Sequence, residues 1–159
     1  MAKTHRSARH IHWVAVSGGF DPIHVGHLRM FKKARSLGDK LVVILNNDNW
    51  LRDKKGSAFM PEKERAEIIG AFPFVDKVYI TKHASGDTDR SVIKALKALK
   101  PAVFANGGDR KNANDIPESA ICKELGIRMV FNIGGGKVQS SSWLIEKARS
   151  EQASKRSKA

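Results

Sequence analysis

The chain has 159 residues, 41% hydrophobic and 28% charged, a balance that suits one folded domain burying roughly 70% of its extended surface. No apolar run approaches the roughly 20 residues that cross a bilayer, "MAKTHRSARHIH" lacks the apolar segment of a secretory signal, and the single Cys122 excludes an internal disulfide framework. The 29 Lys+Arg against 16 Asp+Glu give a formal charge of +13, which favours a polyanionic ligand, either nucleic acid or a nucleoside polyphosphate.

Apolar runs and helical patterns alternate along the chain. "HWVAVS" (12–17) predicts a buried strand. A helix follows in "HLRMFKKARSLG" (27–38), with Leu28, Phe31, Ala34 and Leu37 near helical spacing and Gly38 as its stop. "KLVVILN" (40–46) predicts a second strand, and a polar loop leads to the helix "PEKERAEIIGAF" (61–72), opened by Pro61. "DKVYIT" (76–81) is a third strand, "RSVIKALKALK" (90–100) an amphipathic helix ended by Pro101, and "AVFAN" (102–106) a fourth strand. "PESAICKELG" (117–126), "RMVFNI" (128–133) and "SSSWLIEKAR" (140–149) predict helix, strand and helix.

This alternation predicts an α/β fold: a doubly wound five-stranded parallel sheet with helices on both faces. The expected domain spans residues 13–149, with 1–12 and 150–159 as basic flexible tails. In such folds ligands sit at the carboxyl ends of the strands, near the point where strand order reverses. A cytoplasmic location and no membrane partner are the expectations.

"GGFDPIHVGH" (18–27) lies on that edge. Asp21 and Pro22 suit a helix start, as cap and first-turn residue, although the helix can equally open nearer Val25. Either way His24 and His27 fall at the first helix's N-terminus, where free amides and the dipole favour phosphate. Gly26, like Gly18 and Gly19, lets a ligand approach the backbone closely. Taken singly, such histidines are ordinary packing residues. Metal binding is the other reading, but the sequence offers no third ligand nearby, so the metal ligands are unknown.

In this context "GGFDPIHVGH" resembles the signature of the H-x-G-H nucleotidyltransferase superfamily. "PEKERAEII", "VFANGGD" and "QSSSWLI" are similar to further segments of it, and the likeness covers most of residues 13–149. It is most similar to the heptose-1-phosphate adenylyltransferase and glycerol-3-phosphate cytidylyltransferase group, with archaeal flavin adenylyltransferases as further relatives. The resemblance implies transfer of a nucleoside monophosphate from CTP or ATP to a phosphorylated sugar or polyol, releasing pyrophosphate. The acceptor oxygen is already ionised, so no covalent intermediate is needed, and catalysis is positioning with charge stabilisation at the α-phosphate.

The resemblance also assigns roles. His24 and His27 contact the nucleotide phosphates, and Lys55 clamps them from the loop after the second strand, with Lys54 its alternative. Arg65 contacts phosphate or is an exposed cation paired with Glu62 or Glu64. Gly18, Gly19, Phe20, Asp21 and Gly26 form the nucleotide corner. Gly108 and Asp109 meet base and ribose, and Ser140, Ser141 and Ser142 offer hydroxyls and amides to the β- and γ-phosphates. The superfamily's Arg beyond those serines is Ile145 here, leaving Lys137, Lys147 and Arg149 as replacements. Mg²⁺ is expected to bridge mainly phosphates and water, and the protein is a possible homodimer. A basic nucleic-acid-binding module is the competing class, although no nucleic-acid motif is present.

Overall fold

Among the described residues five strands form one parallel sheet: β1 (Trp13–Gly18), β2 (Lys40–Leu45), β3 (Lys77–Ile80), β4 (Val103–Gly107) and β5 (Arg128–Ile133). The computed structural model describes residues 9–108, 110 and 112–158. Strand order is β3-β2-β1-β4-β5, so the order reverses between β1 and β4. Among the described residues six α-helices accompany the strands, α1 (Val25–Arg35), α2 (Asp48–Lys55), α3 (Glu62–Gly70), α4 (Ile93–Leu99), α5 (Ser119–Leu125) and α6 (Ser141–Ser157), with one short 3-10 turn at Ala113–Asp115.

The strands are apolar without alternation because both faces of the sheet are covered. On one face Val14, Val16, Leu41, Val43 and Leu45 pack against Phe31 and Ala34 of α1 and Ile69 of α3. On the other, Ala15, Val42, Ile44 and Phe104 meet Leu96 of α4 and Ile121 and Cys122 of α5. The register Val14↔Leu41, Ala15↔Val42, Val16↔Val43 keeps like-facing residues level across β1 and β2. The expected doubly wound sheet is therefore present. Among the described residues no helix is long and apolar enough to cross a membrane.

Two expectations are corrected. The polar loop after β2 contains α2, capped by the Asn47 side chain accepting from the Trp50 amide at 3.0 Å and stopped by Gly56 at φ 84°. This helix buries only Trp50 and Leu51, too few apolar positions to print a helical period. The expected C-terminal tail is helical as far as Ser157, although α6 buries no side chain. "KARSEQASKRS" is rich in helix formers and free of Gly and Pro, so α6 continues on propensity beyond its contacts. Residues 9–12 are exposed.

Candidate active site

β1 hands over to α1 through a tight corner. Phe20 takes a positive φ of 49°, a conformation uncommon for a bulky residue. Its buried ring meets Phe31 edge-on at 4.9 Å and His27 at 5.0 Å, so the corner is held by aromatic packing. The helix cap is His24, not Asp21. His24 Nδ1 accepts from the Gly26 amide at 3.1 Å, and His27 Nδ1 accepts from the His24 amide at 3.3 Å. Two imidazoles thus perform the reciprocal capping usually done by a hydroxyl and a carboxylate.

That hydrogen bonding sets the chemistry of both rings. A neutral imidazole whose Nδ1 accepts must carry its proton on Nε2. The rings stack with centroids 3.7 Å apart, and two cations at that distance repel. Burial lowers the pKa of His24. Burial, then His24, then the Lys55 ammonium bring His27 down to about 3. Both rings are therefore neutral Nε2–H donors at physiological pH. Gly26 allows the arrangement, since a Cβ there would lie 2.9 Å from His24 Cε1.

The two rings line a cleft of about 400 Å³ at the carboxyl edge of the sheet, where strand order reverses. Gly107 at the end of β4 and Gly108 just after it, Asn132 near the end of β5 with Gly134–Gly136 just beyond it, and Lys55 at the end of α2 contribute to its walls. Ser140, Ser141 and Ser142 bring the start of α6 to the same cleft. The Ser141 hydroxyl donates to the Pro22 carbonyl at 2.8 Å, tying α6 to the β1–α1 corner. Neither α1 nor α6 has an acidic residue in its first turn. Two positive helix ends therefore face one space without internal neutralisation, an arrangement that binds anions.

Of the residues expected at the site, His24, Gly26, His27, Lys55, Gly108 and Ser140–Ser142 line the cleft. Lys54 lies over the Trp50 ring at 4.5 Å, which leaves Lys55 as the member of the pair at the cleft. Gly18 and Gly19 admit protein rather than ligand: a Cβ would strike the Phe20 ring at Gly18 and Leu51 at Gly19, each at 2.8 Å. Asp21 is buried, accepting from the amides of Phe59 (2.5 Å) and Met60 (2.7 Å). It organises the loop before α3 and borders a neighbouring groove. Asp109 lies outside the described residues.

Arg65 is corrected on both expectations. It is fully buried, neither an exposed cation nor part of the cleft wall. Its guanidinium donates to the carbonyls of Met60 (2.9 Å), Gly19 (2.6 Å) and Asn46 (2.8 Å) and to the Asp48 carboxylate (2.7 Å). It clamps the ends of β1 and β2 to α2 and so holds the site's scaffold.

Sequence reasoning missed Arg29, Met30, Asn132 and Gln139, which also line the cleft. For the first two a signal existed: Gly26, Arg29 and Met30 share one face of α1 at i, i+3 and i+4. Asn132 carries no local signature, and Gln139 opens the "QSSSWLI" segment, whose serines alone drew an assignment. Among the described residues the cleft wall has no carboxylate, and no cluster of three His, Cys, Asp or Glu is placed to hold a metal.

Comparison with known proteins agrees with this geometry. A sequence model of the family described as cytidylyltransferase-like matches residues 15–129. FAD synthase of Pyrococcus abyssi is 39% identical over 98 residues, covering 61% of this chain and 63% of that protein. The bifunctional protein HldE of Pelobacter propionicus is 36% identical over 133 residues, covering 82% of this chain but only 24% of its own. The chain thus matches less than two thirds of either relative's length. The crystal structure of a lipopolysaccharide core biosynthesis protein from Thermoplasma volcanium superposes with a TM-score of 0.64 at 27% identity, covering 80% of this chain and all of that one. With the sheet order, the imidazole-capped α1 and the matched residues in agreement, this chain belongs to the cytidylyltransferase-like nucleotidyltransferase family.

Proposed function

We propose that the protein transfers a nucleoside monophosphate from CTP or ATP to a phosphorylated small molecule and releases pyrophosphate. One observation carries this reading: two neutral imidazoles, each held through Nδ1, leave their Nε2–H donors at a cleft that also receives two helix N-termini. The acceptor's phosphate oxygen attacks the α-phosphorus, a new P–O bond forms, and the bond to the bridging oxygen breaks with its electron pair leaving on pyrophosphate. His24, His27 and Lys55 stabilise the added negative charge, and the α6 amides receive the departing phosphates. Because the described cleft wall lacks carboxylates, Mg²⁺ is taken to arrive with the triphosphate as part of the substrate. It supplies charge neutralisation there.

The favoured acceptor is a sugar phosphate of the heptose type, with ATP as donor. The "NGGD" turn and the likeness to the HldE and lipopolysaccharide core proteins support it. The similarity to FAD synthase supports a flavin phosphate as second reading.

A pyrophosphate-release screen tests both. CTP, ATP, GTP and UTP, each with Mg²⁺, are paired with sugar phosphates, polyol phosphates and flavin mononucleotide. At least one pair turns over, and His27→Ala lowers that rate about 10²–10³-fold, or about 3–4 kcal/mol, while the protein stays folded. No turnover with any pair, together with tight salt-sensitive nucleic-acid binding that His27→Ala leaves unchanged, would instead favour the binding-module reading.

A further inference from the structure

The superfamily that this sequence resembles carries an Arg beyond the α6 serines, where this chain has Ile145. Ile145 borders the neighbouring groove rather than the cleft, and Arg149 shares that groove. Lys137 does line the cleft. Its ammonium sits 4.8 Å from the ring centroid of Trp143, a half-exposed residue in the first turn of α6. The ring therefore holds the ammonium beside the helix end whose amides are free to bind anions. The approach is built by the loop before it. Gly134 and Gly135 take φ of 94° and 76°, which side chains other than glycine rarely adopt, and a Cβ at Gly134 would lie 3.3 Å from the Met30 backbone. The turn thus packs onto α1 and leads into Lys137, which lines the same cleft as His24 and His27.

We propose that Lys137 grips the terminal phosphates of the bound nucleotide, and that Trp143 is its positioning residue. This rests on the nucleotide-binding reading above and deepens it by assigning the cation that meets the phosphates at α6 and the ring that positions it. A cation–π contact at a half-exposed ring is weak beside a charge-assisted hydrogen bond to phosphate. The ammonium keeps the ring on one side while its remaining N–H groups donate to phosphate.

Calorimetric titration with ATP, AMP and inorganic tripolyphosphate, each with Mg²⁺, tests the assignment. Lys137→Met weakens ATP and tripolyphosphate about tenfold or more, leaves AMP unchanged, and Lys137→Arg restores most of the loss. Trp143→Leu weakens the same two ligands less, adds nothing when Lys137 is already Met, and Trp143→Phe is milder. Both positions are exposed, so thermal melts of the variants match the parent. ATP binding unaltered by Lys137→Met, or an equal loss for AMP, would overturn the proposal and leave the nucleotide reading standing. Failure of the parent protein to bind any of the three ligands would overturn both.

Discussion

Burial, the stacked His24 ring and the Lys55 ammonium all press the His27 imidazole toward its neutral form, bringing its pKa from 6.5 to about 3. Between those values the unfolded chain binds a proton that the folded chain does not. Stability from this residue is therefore complete above about pH 6.5 and is lost progressively as pH falls toward 3. Nitrogen-15 shifts of the ring should report a neutral Nε2–H tautomer down to about pH 4, and a midpoint near 6.5 would contradict the capping geometry. The adjacent glycine separates stability from chemistry. Gly26→Ala adds a helix former worth up to about 1 kcal/mol, but its Cβ would displace the His24 ring. Losing the His24 cap costs about 1 kcal/mol and offsets that gain, so melting temperature should change little while kcat falls about 10²-fold, the scale of a misplaced reacting group. Both histidines were legible in the sequence because spacing and context are local. Their mutual capping was not, since it depends on ring orientations set by Phe20.

At the scale of elements, the parallel strands could be read because burial on both faces writes them as unbroken apolar runs. α2 could not, being short and mostly solvent-facing. Arg65 shows a different failure. It stands four residues before Ile69, and these two are the buried positions of α3, so a charged residue on the apolar stripe was the available sign of a buried clamp. Its partners are backbone carbonyls at strand ends, which no side-chain pattern reveals. Arg65→Met should destabilise the protein by about 3–5 kcal/mol, because Asp48 and three carbonyls lose their donor. Urea denaturation measures this. A cost under about 1 kcal/mol would mean that the loops find other partners.

Across the whole molecule, the cleft draws on segments far apart in sequence: the β1–α1 corner, the end of α2, the turns after β4 and β5, and the start of α6. Local segments disclosed all of these except the turn after β5. They converge because strand order reverses between β1 and β4, which opens a crevice at the sheet's carboxyl edge. The basic excess gained meaning in the same way, since Arg29, Lys55 and Lys137 meet at one mouth from three different elements. The pairing of two helix starts at that mouth has a kinetic corollary under the proposed chemistry. A cradle that favours a triphosphate also favours the diphosphate it sheds, so the leaving group lingers after bond cleavage. Turnover then depends on removing that by-product, and supplying it in excess should run the reaction backward, regenerating triphosphate from the activated product.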